Sequence, residues 1–220
     1  MATLKSDPVA IVLAAGSSRR MGLDKLMAKL GPKRMIERTL LTFRNAERVP
    51  DTLLVIPEGT REQWAPLRSP TLHLVENPDP SRGMISSIRC GLESGWAQEQ
   101  NFFICPGDVP FVKPAIVDRM VQTFRTRDCK IVLPSYQGLG GHPGLFAAEL
   151  SRDFFLRGDE SGAREILMRY AKDTVRMHVQ DPDVCYDIDT PDDLSMALDE
   201  QARHDKVAGK VKAKRAQRLR

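Results

Sequence analysis

Apolar and polar positions alternate along this chain in blocks, and the blocks have two different periods. Residues 9–13, Val-Ala-Ile-Val-Leu, are apolar throughout, as in a strand of a parallel sheet covered on both faces. Met35, Ile36, Leu40, Leu41 and Phe43 recur at near-helical spacing and predict a helix over 34–45. Residues 52–56 and 72–75 read as a second and third strand. Ile85 to Leu92 reads as a helix ending near Gly95. Residues 102–105 form a fourth strand, halted by Pro106-Gly107-Asp108. Ile116 to Phe124 is an amphipathic helix opening after Pro114, a residue suited to a first turn. Residues 130–134 make a fifth strand, 163–170 a helix and 175–179 a strand-like run. A last helix over 192–198 follows Thr190-Pro191.

Strand, loop and helix in repeated order predict an α/β fold: three layers, with a doubly wound, mainly parallel sheet in the middle. Ligands of such sheets bind at the carboxyl ends of the strands, near a change of strand order. The residues to inspect are therefore 14–25, 76–87, 106–111, 135–143 and 187–190.

A chain of 220 residues suits one large domain. No apolar run approaches the length of a membrane span. Residues 1–8 lack the regions of a signal peptide, and the four cysteines (Cys90, Cys105, Cys129, Cys185) include no Cys-x-x-Cys pair. The expectation is a cytoplasmic protein with reduced, structural thiols, no zinc site and no membrane association. The net charge of +4 hides an asymmetry. From Arg203 onward eight Lys or Arg and one Asp give +7, while the preceding 202 residues carry 25 basic and 28 acidic side chains, −3. Residues 1–202 read as a single domain and 203–220 as a basic, poorly structured tail. The tail is either a solvated extension or an electrostatic contact for a partner.

Chemistry concentrates in the first loop. Ala14, Ala15, Gly16, Ser17 and Ser18 follow the buried first strand, and such small side chains let backbone N–H groups cradle phosphate oxygens. Arg19, Arg20 and Lys25 add cationic donors for an oligophosphate. The plainer reading is a tight turn with surface cations. Neither a Walker loop nor a Gly-x-Gly-x-x-Gly fingerprint is present. Asp108, just past the fourth strand, suits Mg²⁺, which takes one or two protein carboxylates beside substrate phosphates; it is equally an ordinary Asp-Val-Pro turn. Asp187 and Asp189 share a face if their segment is extended, so Asp189 is placed to share that metal. Thr190, Pro191, Asp192 and Asp193 read as a helix start. Ser86 and Ser87 either read a base or ribose or cap their helix. Residues 138–144 read as a flexible, Gly-rich connection in which His142 is either structural or substrate-facing. Gly158 to Arg164 begins a helix, and Arg164 is a candidate anion contact.

Taken together, these segments resemble the MobA-like nucleotidyltransferases and, within them, the molybdenum cofactor cytidylyltransferases. The resemblance covers roughly residues 8–200. It rests on Leu13-Ala14-Ala15-Gly16-Ser17-Ser18-Arg19-Arg20-Met21-Gly22 with Lys25, and on Gly83-Met84-Ile85-Ser86-Ser87-Ile88. Asp108-Val109-Pro110-Phe111, Gly141-His142-Pro143, Gly158-Asp159 with Gly162-Ala163-Arg164, and Asp187-Ile188-Asp189-Thr190-Pro191 complete it.

The resemblance implies a nucleotide-diphospho-sugar transferase-like variant of the Rossmann fold. It implies nucleotide binding by residues 13–20, Lys25, Ser86 and Ser87, with Arg19, Lys25 and Asp108 catalytic. Asp108 and Asp189 would hold Mg²⁺, and Gly141, His142, Pro143 and Arg164 would meet the acceptor. CTP is favoured because guanylyl-transferring relatives tend to carry Leu-Ala-Gly-Gly where this chain has Leu13-Ala14-Ala15-Gly16. The acceptor would be the terminal phosphate of molybdenum cofactor, and a molybdoenzyme or its chaperone a further partner. Nucleic acid is not an expected partner of the domain. A GTP-using guanylyltransferase, a sugar-phosphate nucleotidyltransferase and a non-catalytic nucleotide- or cofactor-binding accessory protein are the alternatives.

Overall fold

The computed structural model describes residues 6–16, 25–156, 158, 162–190 and 192–199. The elements run β1 (Val9–Leu13), β2 (Lys29–Leu30), β3 (Lys33–Arg34), α1 (Met35–Arg44), β4 (Thr52–Pro57), β5 (Leu72–Asn77), α2 (Met84–Glu93), β6 (Phe102–Pro106) and α3 (Pro114–Thr126). They continue with β7 (Ile131–Tyr136), β8 (Leu139–Gly140), β9 (Gly144–Phe146), α4 (Ser151–Phe155), α5 (Gly162–Arg169), β10 (Thr174–His178) and α6 (192–199).

One sheet carries the order β10-β7-β9-β6-β1-β4-β5, with β8 beside β7. Pairing is parallel between β1 and β4, β1 and β6, β4 and β5, and β7 and β10. β9 runs antiparallel to both β6 and β7. The expected three-layer, doubly wound architecture is therefore present, with β9 reversed inside it and the short β8 antiparallel to β7.

The two faces follow directly from strand alternation. Ala10, Val12, Leu54, Ile56, Phe103 and Cys105 face a layer built by Met35, Ile36, Leu40 and Phe43 of α1 and Ile116, Val117, Met120 and Phe124 of α3. Val9, Ile11, Leu13, Leu53, Val55, Phe102 and Ile104 face Ile85, Ile88 and Leu92 of α2, with Phe154 of α4 and Ile166 of α5. Burial on both sides explains why β1 lacks polar residues altogether. Each such fully buried aliphatic side chain contributes roughly 1.5–3 kcal/mol of transfer free energy.

The chain moves outward from β1 through β4 to β5, then returns to β6 on the other side of β1. That change of direction opens a crevice at the carboxyl ends of β1 and β6.

Residues 138–144, read from composition as flexible, are ordered as a hairpin. Gln137 (φ 48°) and Gly138 (φ 86°) form its tight turn. Ser135 and Tyr136 then pair with Gly140 and Leu139.

Candidate functional site

β1 ends at Leu13, and the chain stays tied to the sheet one residue further: the Ala14 N–H donates to the Val55 carbonyl at 2.8 Å. The Leu13 carbonyl in turn accepts the Gly107 N–H at 2.9 Å. This bond joins the end of β1 to the turn after β6. Thr39 of α1 fixes the same turn by donating to the Gly107 carbonyl at 2.9 Å. A Cβ on residue 107 would lie 2.9 Å from the Leu13 carbonyl oxygen and 3.1 Å from the Ile36 side chain, so only glycine lets the two loops approach this closely.

Asp108 therefore shares a crevice with Leu13, Ala15 and Gly16. Lys25 Nζ lies 2.7 Å from Asp108 Oδ2 and 2.9 Å from Asp189 Oδ1. Lys25 and Asp108 are largely enclosed, with side chains 12% and 16% exposed, whereas Asp189 is 55% exposed. Burial alone would lower the Lys25 pKa; its hydrogen bonds to Asp108 and Asp189, and the attraction of both carboxylates, outweigh that and raise it. Lys25 is thus held as an ammonium.

The segment bearing Asp189 is docked by its backbone. The Ile188 N–H donates to the Asp108 carbonyl at 3.2 Å, Ile188 is fully buried, and the rings of Phe111 and Tyr186 meet at 6.0 Å. Asp187 and Asp189 are both exposed on either side of Ile188, as extended alternation requires. Thr190 and Asp193 behave as a helix start: the Asp193 N–H donates to Thr190 Oγ1, and Asp193 Oδ2 accepts from the backbone of Asp189 and Thr190.

A cavity of about 420 Å³ opens beside these charges. Leu13, Ala15, Gly16, Lys25, Ser87 and Asp108 line it, six of the expected residues. Ser17, Ser18, Arg19 and Arg20 lie outside the described residues. Ala14 is buried behind the wall. Ser86 is turned to structural use, accepting from Asn77 at 2.9 Å and donating to the Gly83 carbonyl at 2.8 Å. Arg164 is exposed on α5 and is not among the lining residues.

Gly141, His142 and Pro143 lie beyond the cavity wall, ahead of β9. Because β9 runs against its neighbours, its start reaches the rim where β6 ends: Gly144 pairs with Ile104. The Gly141 N–H donates to the Pro134 carbonyl at 2.9 Å and the His142 N–H to the Val184 carbonyl at 2.7 Å. A Cβ on residue 141 would collide with the Val184 carbonyl. Burial lowers the His142 pKa, against the raising influence of Asp187 and Asp108.

The sequence marks Asn77 to Ile88 as a substrate loop but singles out only Ser86 and Ser87 in it, not Asn77, Pro80 or Met84. Pro80 and Met84 line the cavity, and Asn77 stands behind it, 1% exposed. Their signals were a place in a loop after a strand and, for Met84, the motif it shares with Ser86 and Ser87.

Asp108 and Asp189 are the residues that would hold a divalent cation. Asp108 Oδ1 is buried with no hydrogen-bond partner among the described residues, an acceptor left open where burial makes that costly. Asp108 and Asp189 offer two carboxylates from separate segments. Among the described residues no cluster of three or more His, Cys, Asp or Glu forms an all-protein metal cage. Such a sparse oxygen set suits Mg²⁺, which retains water and phosphate ligands. No helix among the described residues is long and apolar enough to cross a membrane.

Comparison with known proteins agrees with this geometry. Residues 10–175 match the MobA-like NTP transferase domain. The molybdenum cofactor cytidylyltransferase of Escherichia coli (strain K12) is 24% identical over 191 residues, 85% of this chain and 93% of that protein. The molybdenum cofactor guanylyltransferase of Mesorhizobium japonicum is 28% identical over 207 residues, 88% of this chain and 96% of that protein. The crystal structure of a Mycobacterium tuberculosis rv0371c homologue from mycobacterium sp. strain JC1 superposes with a TM-score of 0.73. At 26% identity it covers 91% of this chain and 99% of its own. With Ala15, Gly16, Lys25 and Asp108 in one crevice and the match running from β1 into β10, the chain belongs to the MobA-like NTP transferase family.

Proposed function

We propose that the protein transfers CMP from CTP to the terminal phosphate of molybdenum cofactor and releases pyrophosphate. The observation that carries this reading is the Lys25–Asp108–Asp189 constellation at the mouth of the cavity, with Asp108 Oδ1 unpartnered among the described residues. The related cytidylyl- and guanylyltransferases support the choice of acceptor.

In this mechanism an oxygen of the acceptor's phosphate attacks the α-phosphorus of the nucleotide. The bond from that phosphorus to the bridging oxygen of the β-phosphate breaks, and pyrophosphate leaves with the electron pair. The nucleophile is already anionic, so no general base is needed. Catalysis rests on alignment and charge neutralisation. Lys25, kept protonated by its carboxylate partners, stabilises charge on the phosphates. Arg19 is assigned the same work from its place in the first loop. Mg²⁺ held by Asp108 and Asp189 would neutralise charge on the triphosphate oxygens. The apolar wall of Leu13, Ala15 and Met84 excludes water from the base.

CTP is favoured over GTP because the Ala15 methyl occupies wall space that a glycine would leave to a larger base. The guanylyltransferase relatives favour the second reading, GTP. Pyrophosphate release, measured with Mg²⁺, molybdenum cofactor and each of CTP, GTP, ATP and UTP, decides. CTP should be preferred, and Ala15→Gly should shift preference toward GTP. Preference for GTP in the unaltered protein would overturn the nucleotide assignment alone. Release with none of the four would overturn the function.

A further inference from the structure

Asn77 ends β5 directly behind the cavity, and its amide is fully committed. Oδ1 accepts the Asp79 N–H at 2.9 Å, which fixes the orientation of the amide group. Nδ2 is left to face two hydroxyls, Ser86 Oγ and Ser87 Oγ, each at 2.9 Å. Nδ2 has two hydrogens, one for each serine.

The two serines then differ. Ser86 passes its own proton to the Gly83 carbonyl at 2.8 Å, so its bonding is closed. Ser87 accepts from Asn77 and its hydroxyl makes no other hydrogen bond among the described residues. It is 4% exposed, yet it lines the cavity. A buried hydroxyl with an unspent proton at a cavity wall is a donor awaiting an acceptor. Asn77, which cannot accept from Ser87 in this orientation, fixes the direction of that bond.

We infer that Asn77 is a positioning residue for nucleotide recognition: it holds the Ser87 hydroxyl as an obligate donor to the carbonyl oxygen of the base. The inference rests on the nucleotide-transfer reading above. Cytosine has one carbonyl, O2, guanine has one, O6, and adenine has none. A fixed donor therefore discriminates against adenine whichever of the other two is used, because a site built around one hydrogen bond rejects a ligand lacking its partner.

The test is calorimetric titration of the full chain with CTP, GTP and ATP in Mg²⁺, without acceptor, beside thermal melting. Asn77→Asp keeps the shape and the bond from the Asp79 N–H, and turns both donors into acceptors, so the Ser87 proton turns inward. The better-bound of CTP and GTP should weaken about ten-fold, ATP should change little, and discrimination should narrow. Ser87→Ala should do the same, and the double variant should lose no more than the worse single one. A purely structural role would weaken all nucleotides together.

Should Asn77→Asp prevent folding, the thio-analogue of the preferred nucleotide, 2-thio-CTP or 6-thio-GTP, takes the place of that variant. It should bind the unaltered protein more weakly than its oxygen parent, and Ser87→Ala should not distinguish the two. Undiminished discrimination in Asn77→Asp, additive losses, or equal binding of the thio-analogue would overturn the inference and leave the function standing. Binding of no nucleotide by the unaltered protein would overturn both.

Discussion

Lys25 and Asp189 are separated by 164 residues along the chain and by 2.9 Å in space. Their contact is possible because Ile188 hydrogen-bonds to the backbone of Asp108, which places a late segment against an early loop. One ammonium thereby stands between two carboxylates, and removing it leaves two like charges close together in a partly enclosed place.

Asp108→Asn should reduce pyrophosphate release by roughly 10³-fold or more while the fold survives, since Lys25 keeps Asp189. Turnover assays and melting of the same preparation check it. Near-normal turnover would remove Asp108 from the reaction.

Lys25→Met should bring the two carboxylates into uncompensated repulsion. Its melting temperature should fall, and added Mn²⁺ without nucleotide should raise it by more than in the unaltered protein. The same variant should bind triphosphate about ten-fold more weakly. Identical Mn²⁺ shifts in the two proteins would mean that the carboxylates do not share a cation.

Gly141→Ala should destabilise the fold by about 1–3 kcal/mol, the usual cost of overpacking, because its methyl would strike the Val184 carbonyl. Denaturant unfolding measures this. A stability unchanged by the substitution would make Gly141 a surface residue rather than the packing point described above.

Stability should also fall as the medium becomes acidic. The His142 pKa lies below its ordinary value of 6.5 in the folded state, chiefly through burial. As pH drops through 6.5 the unfolded chain takes up a proton that the folded one refuses, so folding loses free energy until the folded-state value is passed. His142→Gln should remove this component. Melting between about pH 7.5 and 5.5, the range around the ordinary histidine value, compares the two proteins, and parallel curves would exclude His142 as its source.

The layered fold was legible because both periods are strongly written. The odd residues of β1 face one layer and the even residues the other, so Val9–Leu13 had to be apolar throughout. β2, β3, β8 and β9 were not legible, being too short for any period to register. The Gly-rich run around Gly138 misled for a definite reason. Glycine signals freedom by composition, but here Gly138 supplies a turn geometry and Gly141 a close contact.

The site was legible in residue types and not in pairings. Asp108 and the first loop declared themselves by following buried strands. That Lys25 would bridge Asp108 and Asp189 depends on strand order, which adjacency along the chain does not reveal. Asn77 was silent because its role exists only once α2 folds back over the end of β5. Ser86 and Ser87, neighbours of like type, were separable only by where each proton goes.

The late arrival of Asp189 bears on biosynthesis. A nascent chain that has emerged only through α3 already contains Lys25 and Asp108, but not Asp189. The Lys25–Asp108–Asp189 cluster is completed only when the segment after β10 docks through Ile188. Chains interrupted before that segment lack the arrangement in which one ammonium stands between two carboxylates.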